Sequence, residues 1–198
     1  MSYIGKQPRE NITGIIALES QTADGTTSMT FDGMDGTYVA YEFHFINLHP
    51  VTDTAHLTFQ VNATDQTAFE ENMTSSFARA KNHENGSDQE FVIMSGNDQG
   101  DGDEAEQMLS NENGNGNDES LNGVFTIYDP GNGTYVKHWI SRIVEYHASD
   151  IVMDSFVAGY IDSTTAIDEI RFKFHSGNID SGTIKMYGIK TGTLTEVS

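Results

Sequence analysis

The chain has 198 residues, with 10 Lys and Arg against 30 Asp and Glu, a formal net charge of −20 at pH 7, and no cysteine. That length accommodates one sizeable core, while the lack of cysteine excludes disulfide and thiolate chemistry. The excess of acid argues against nucleic acid or an anionic membrane as partner, because phosphate recognition needs clustered cations.

The longest apolar runs, Ile15–Leu18, Tyr38–Tyr41 and Phe91–Met94, reach four residues each. A membrane span needs roughly 20 and a signal-peptide core about 7–15, so neither is expected. In chain order, residues 1–13 carry no periodic pattern and are expected to form an extended arm. Residues 14–198 are expected to form a single domain. Gly14–Ser20 and Thr27–Phe31 read as strands, with Ala23-Asp-Gly25 as turn chemistry between them. Thr37–Leu48 alternates most clearly: Val39, Tyr41, Phe43 and Phe45 share one face, and Tyr38, Ala40, Glu42 and His44 the other. His49-Pro50 should end it, since proline donates nothing to a central ladder. Ala55–Asn62 repeats the pattern, with Thr58, Gln60 and Asn62 expected outward. The short loop 50–54 suggests that these two strands pair with each other.

Thr67–Asn72 carries a capping-box pattern that fits one helical turn or a surface loop. Met73–Ala80 and Gln89–Met94 read as further strands. Residues 97–123 then break the rhythm: acidic, rich in Gly and Asn, and without Lys or Arg. This stretch is expected to be a long loop, pinned only by Met108-Leu109, because so little apolar surface cannot offset its ordering entropy. Strand signals resume at Val124–Tyr128, Thr134–Tyr146, Ile151–Ile161 and Ala166–Phe174. The chain closes on Ser176–Lys190, where Ile184 and Met186 should be core and Gly188 should mark a bulge or a close neighbour. The fold class is all-β, a two-sheet antiparallel jelly-roll β-sandwich with a long acidic loop.

Few residues suggest chemistry. The run Asn97-Asp-Gln-Gly-Asp-Gly-Asp-Glu104 has the oxygen density a calcium ion takes, which makes Asp98, Asp101 and Asp103 candidate ligands. The EF-hand pattern fails, however: its twelfth position is Met108 rather than a bidentate glutamate. The seven histidines are scattered, and the spacing of His44 and His49 puts them on opposite strand faces. Trp139, with Tyr135 and Tyr146 nearby, is either core packing or a sugar-stacking platform that would bind carbohydrate. No Gly-x-Ser-x-Gly elbow, phosphate loop or dinucleotide fingerprint occurs, so no catalytic residue and no cofactor other than calcium is assigned.

Four stretches carry a family resemblance. Tyr3-Ile-Gly-Lys-Gln-Pro8 resembles the start of tailed-bacteriophage virion proteins, and Ser181-Gly-Thr-Ile-Lys-Met-Tyr-Gly-Ile-Lys190 resembles the last strand of phage structural proteins with a jelly-roll, concanavalin-like sandwich. Tyr41-Glu-Phe-His-Phe-Ile-Asn-Leu-His-Pro50 and Val157-Ala-Gly-Tyr160 resemble marine phage structural proteins. The resemblance implies a non-enzymatic virion protein, made in the host cytoplasm and assembled in multiple copies with itself and with other virion proteins. A tail or fibre component is the first expectation. A capsid decoration or head-fibre protein, or a carbohydrate-binding module that recognises a host surface glycan, is the alternative.

Overall fold

The computed structural model describes residues 14–100 and 105–190. The arm expected at 1–13, the last residues 191–198 and the candidate ligands Asp101 and Asp103 lie outside the described residues. Among the described residues every regular element is a strand: β1 (Gly14–Thr22), β2 (Met29–Phe31), β3 (Ala40–Pro50), β4 (Leu57–Ala63), β5 (Met73–His83), β6 (Gln89–Ile93), β7 (Gln107–Met108), β8 (Leu121–Tyr128), β9 (Lys137–His147), β10 (Ile151–Ile161), β11 (Ile167–Phe174) and β12 (Ile179–Lys190).

Their pairing is nested. β1 pairs with β12, β2 with β11, β3 with β8 and β4 with β7, all antiparallel. Such nesting is that of one long ribbon doubled back on itself. Rolling the ribbon brings β12 beside β3 and β11 beside β4, which gives the jelly roll. Two hairpins are added to this core, β5–β6 and β9–β10, and both extend the same sheet. The result is an eight-stranded sheet in the order β1-β12-β3-β8-β9-β10-β5-β6, packed against a four-stranded sheet in the order β2-β11-β4-β7.

The core between the sheets is aromatic. Phe172 of β11 lies within 5.1–6.5 Å, ring centre to ring centre, of Phe31, Phe43, Phe45, Phe59 and Phe125. Two of these rings come from its own sheet and three from the facing one, so a single side chain ties the layers together. The alternation read in β3 positions Tyr41, Phe43 and Phe45 in this core, and Ile184 and Met186 of β12 join them. Gly188 meets a close neighbour, as expected. A Cβ there would stand 2.5 Å from the Tyr38 ring.

Three expectations are corrected, and the choice left open at 67–72 is decided for a loop. β3 and β4 are not partners. The turn between them carries the chain from the large sheet to the small one, because β3 finds its ladder partners in β8 and β12. Val39 is exposed, since the strand begins only at Ala40. Residues 67–72 form no helical turn. All of β4 is buried, Thr58, Gln60 and Asn62 included. Segments of the same chain cover its outer face: Gln60 Nε2 donates to the carbonyl oxygens of Glu71 (3.1 Å) and Ala105 (3.3 Å), and Thr58 Oγ1 donates to Glu106 (3.0 Å).

Phe172→Ala removes the ring shared by five aromatic neighbours. It is expected to lower stability by about 3–5 kcal/mol in chemical denaturation, the usual cost of emptying a buried phenylalanine site.

Candidate interaction surface

The two sheets treat their outer faces differently. On the small sheet the outward side chains of β11 include Arg171 and Lys173, and both are covered. Glu106 pairs with each at 2.8 Å, and the Arg171 guanidinium sits 4.4 Å over the Phe69 ring. On the large sheet, nothing among the described residues covers the hairpin extension, yet its outward side chains are mostly apolar. Charged residues are shielded and apolar ones exposed, the reverse of what solvation favours.

Register places these exposed side chains in rows. Val124, Arg142, Phe156, Ala78 and Ile93 lie side by side across β8, β9, β10, β5 and β6. The adjacent rows add Asn122, Val144, Asp154, Ala80 and Phe91 on one side, and Ile140, Ala158 and Ser76, next to the buried Thr126, on the other. Ile140 is 48 % exposed, Phe91 68 % and Ile93 58 %. The Phe91 and Phe156 rings meet edge to face at 6.4 Å, and Arg142 lies 4.9 Å over Phe156. Arg142 also holds Asp154 through two hydrogen bonds, at 3.0 and 2.7 Å. These are the only Lys, Arg, Asp or Glu residues in the three rows, so they neutralise each other. On a chain of net charge −20, the outer face of the extension is a net-neutral, largely apolar surface of the kind that marks an interaction site.

Sequence reasoning missed this surface, although a signal was present. Both alternate sets in residues 139–144 are apolar: Trp139 and Ile143 point inward, while Ile140 and Val144 point outward. A strand apolar on both sides is either sandwiched or awaiting a partner.

Trp139 offers no sugar platform. It is 1 % exposed, stacked on Phe125 at 5.7 Å and edge-on to Phe59 at 4.9 Å, because its strand position points between the sheets. Of the three candidate calcium ligands only Asp98 is described, and it is half-buried. Two backbone oxygens beside it already accept hydrogen bonds. The carbonyl of Asn97 accepts from Gln107 Nε2 at 2.9 Å, and that of Gln99 from the Ser75 amide at 3.1 Å. Among the described residues no group of three or more His, Asp and Glu is placed to share a metal ion.

The stretch 97–123 is more ordered than a solvated loop. It supplies β7, the first strand pair of β8 and a buried polar cluster. Leu109, Ser110 and Asn113 are fully buried, because their polar groups find partners inside. Ser110 Oγ accepts from the Leu57 amide at 2.7 Å. The Asn111 amide and Asn113 Nδ2 donate to the Glu145 carboxylate at 2.8 and 3.2 Å. Asn113 bridges Ala55 at one sheet and His147 at the other, closing this end of the sandwich.

Three histidines meet at the same corner. The amides of Glu112, His56 and Ser149 donate to Nδ1 of His56 (3.0 Å), His175 (2.9 Å) and His147 (3.0 Å) respectively. A ring whose Nδ1 accepts an amide hydrogen carries its own proton on Nε2, and the His147 Nε2 donates to Glu112 at 2.7 Å. Burial, followed by the neighbouring His175, lowers the pKa of His56. Burial pushes Glu145 up to about 8 from an ordinary 4.5, only partly offset by the hydrogen bonds it accepts.

These shifts have opposite consequences. Glu145 has a raised folded-state pKa, so its contribution to stability is complete below pH 4.5 and is lost as pH rises toward 8. His56 has a lowered one, so its contribution is complete above pH 6.5 and declines below it. Glu145→Gln, which cannot ionise, isolates the first effect. Relative to the unaltered chain its stability is expected to rise with pH between 4.5 and 8, at up to about 1.4 kcal/mol per pH unit, in urea titrations across that range.

The chain matches no family model, no curated protein and no solved structure.

Proposed function

We propose that this chain is a non-enzymatic structural protein of a tailed-phage virion, associated with the tail or fibres and assembled in several copies. The observation that carries the reading is the net-neutral, largely apolar outer face of β8, β9, β10, β5 and β6 on a chain of net charge −20. Such a face is a cost to an isolated protein and a docking surface in an assembly. The jelly roll beneath it supports the same role. Its first and last described strands are hydrogen-bonded neighbours, with Gly14 opposite Lys190, at the side of the large sheet opposite the apolar face. The phage context itself rests on the resemblance of the opening and closing stretches to virion proteins. A carbohydrate-binding role has lost its aromatic platform, since Trp139 is buried.

The test is particle composition. Purified virions of the phage whose genome carries the chain are expected to contain it in multiple copies, located by cryo-EM on the tail. Absence from particles, or a home in a non-viral genome, would overturn the reading. Ile140→Asp and Val144→Asp place acids on exposed outer-face positions. Both are expected to fold with unchanged circular dichroism and to be incorporated at least tenfold less well.

A further inference from the structure

We propose that the free edge of β6 pairs antiparallel with β6 of a second copy of this chain, joining two eight-stranded sheets about a twofold axis at Phe91. The pairing rests on the multi-copy reading above and names the partner.

Among the described residues the two sheets have four edge strands, and three are blunted in the ways that prevent edge pairing. β1 carries a bulge between Ala17 and Glu19, β2 has three residues and β7 two. β6 is different. Gln-Glu-Phe-Val-Ile contains no proline, lysine or bulge and keeps an unbroken register with β5. Its hydrogen bonds also have a readable phase. Met94 donates its amide to the Phe77 carbonyl and His83 donates to the Asp88 carbonyl. The even-numbered residues therefore face β5, and the amide and carbonyl groups of Gln89, Phe91 and Ile93 point to the open edge.

Charge selects the occupant. A cationic partner would be drawn to the many acids elsewhere on this chain. A second copy is repelled by those acids and can approach only where a neutral strip faces itself. β6 is such a strip: its one acid, Glu90, is held by Lys81 at 3.4 Å and by Arg79 at 4.0 Å. Centred on Phe91, the antiparallel pair sets Phe91 against its own copy, Gln89 against Ile93 and Glu90 against Val92. It forms about six ladder hydrogen bonds, since opposed outward residues exchange two bonds each. The exposed rings of Phe91 in the two copies lie on the same side of the joined sheet as Phe156, so the apolar faces merge across the axis.

Sedimentation velocity and native mass spectrometry on the full chain test this. A dimer is expected, strengthened by added NaCl because salt screens repulsion between two chains of charge −20. Gln89→Pro and Ile93→Pro remove amides that point away from β5. They should leave circular dichroism and melting temperature nearly unchanged while weakening association at least tenfold. The chain has no cysteine, so Phe91→Cys supplies a single thiol. At the axis the two Cα atoms lie about 5.5 Å apart, within disulfide reach, and the variant should oxidise to a covalent dimer. A protein monomeric at all salt concentrations, a dimer indifferent to both prolines, or a Phe91→Cys dimer that stays reduced would each overturn the pairing. A monomer found in virions would overturn the pairing alone and leave the structural role standing. A β6-linked dimer absent from every particle would support the pairing and overturn the virion reading.

Discussion

Contact between the two layers is an aromatic core with Phe172 near its centre, and Phe59 with Phe125 and Trp139, and Phe31 with Phe43, cross it as well. Phe172 touches aromatic side chains from β2, β3, β4 and β8, and so belongs to both sheets at once. Edge-to-face and tilted ring pairs of this kind add about 0.5–1.5 kcal/mol each beyond the area they bury. The remainder of the jelly roll depends on that packing, because none of the strand ladders joins one sheet to the other and only scattered bonds, such as those of Ile167 to Pro130 and Ser75 to Gln107, cross between them. What holds β3 and β8 to β11 is packing, and the packing is centred on Phe172. The isolated bridges through Asn113 add a hydrogen-bonded tie only at one end.

The acidic stretch after Asn97 takes part in this economy rather than standing outside it. Glu106 pins the outer face of the small sheet, Gln107 and Met108 pair with β4, and Ser110 to Asn113 close the end of the sandwich around Glu145. Each polar side chain buried there has a partner, which is the condition for burying it at all. The stretch is thus a lacing that covers one outer face. The opposite face has no such lacing. Among the described residues nothing covers its apolar rows from Val124 to Ile93, and the one charged pair among them, Arg142 with Asp154, is internally neutral.

This asymmetry links fold to role. A chain of net charge −20 resists association everywhere except where its charge is cancelled. The hairpin extension is that place. Added outside the eight strands of the rolled ribbon, β9, β10 and β5 extend the core with Trp139, Ile143, Val157, Ile161, Met73 and Phe77, and with β6 they carry the open face and the unblunted edge. The core strands supply rigidity, and the appended ones supply a surface.

Much of the fold was legible in the residues. Period-two alternation located most of the strands and correctly assigned Tyr41, Phe43, Phe45, Ile184 and Met186 to the core, because the side a strand residue faces follows from its position alone. Partnership did not follow. β3 and β4, neighbours in the chain, lie in different sheets, whereas β1 pairs with β12 across nearly the whole described length. Strand pairing is decided by the folded ribbon, and local turns say little about it. The polar pattern of 97–123 implied solvent, but Ser110, Asn113 and Gln107 are buried because distant amides and carboxylates satisfy them. Trp139 shows the same division. Its residue type favoured packing in a core over stacking on a sugar, and the inward face of β9 decided for the core. The exposed face was also beyond the sequence, since apolar residues on both sides of β9 and β10 fit equally a strand buried on both sides. Which outer face a chain covers with its own loops is a property of the whole arrangement, and here the loops cover the other one.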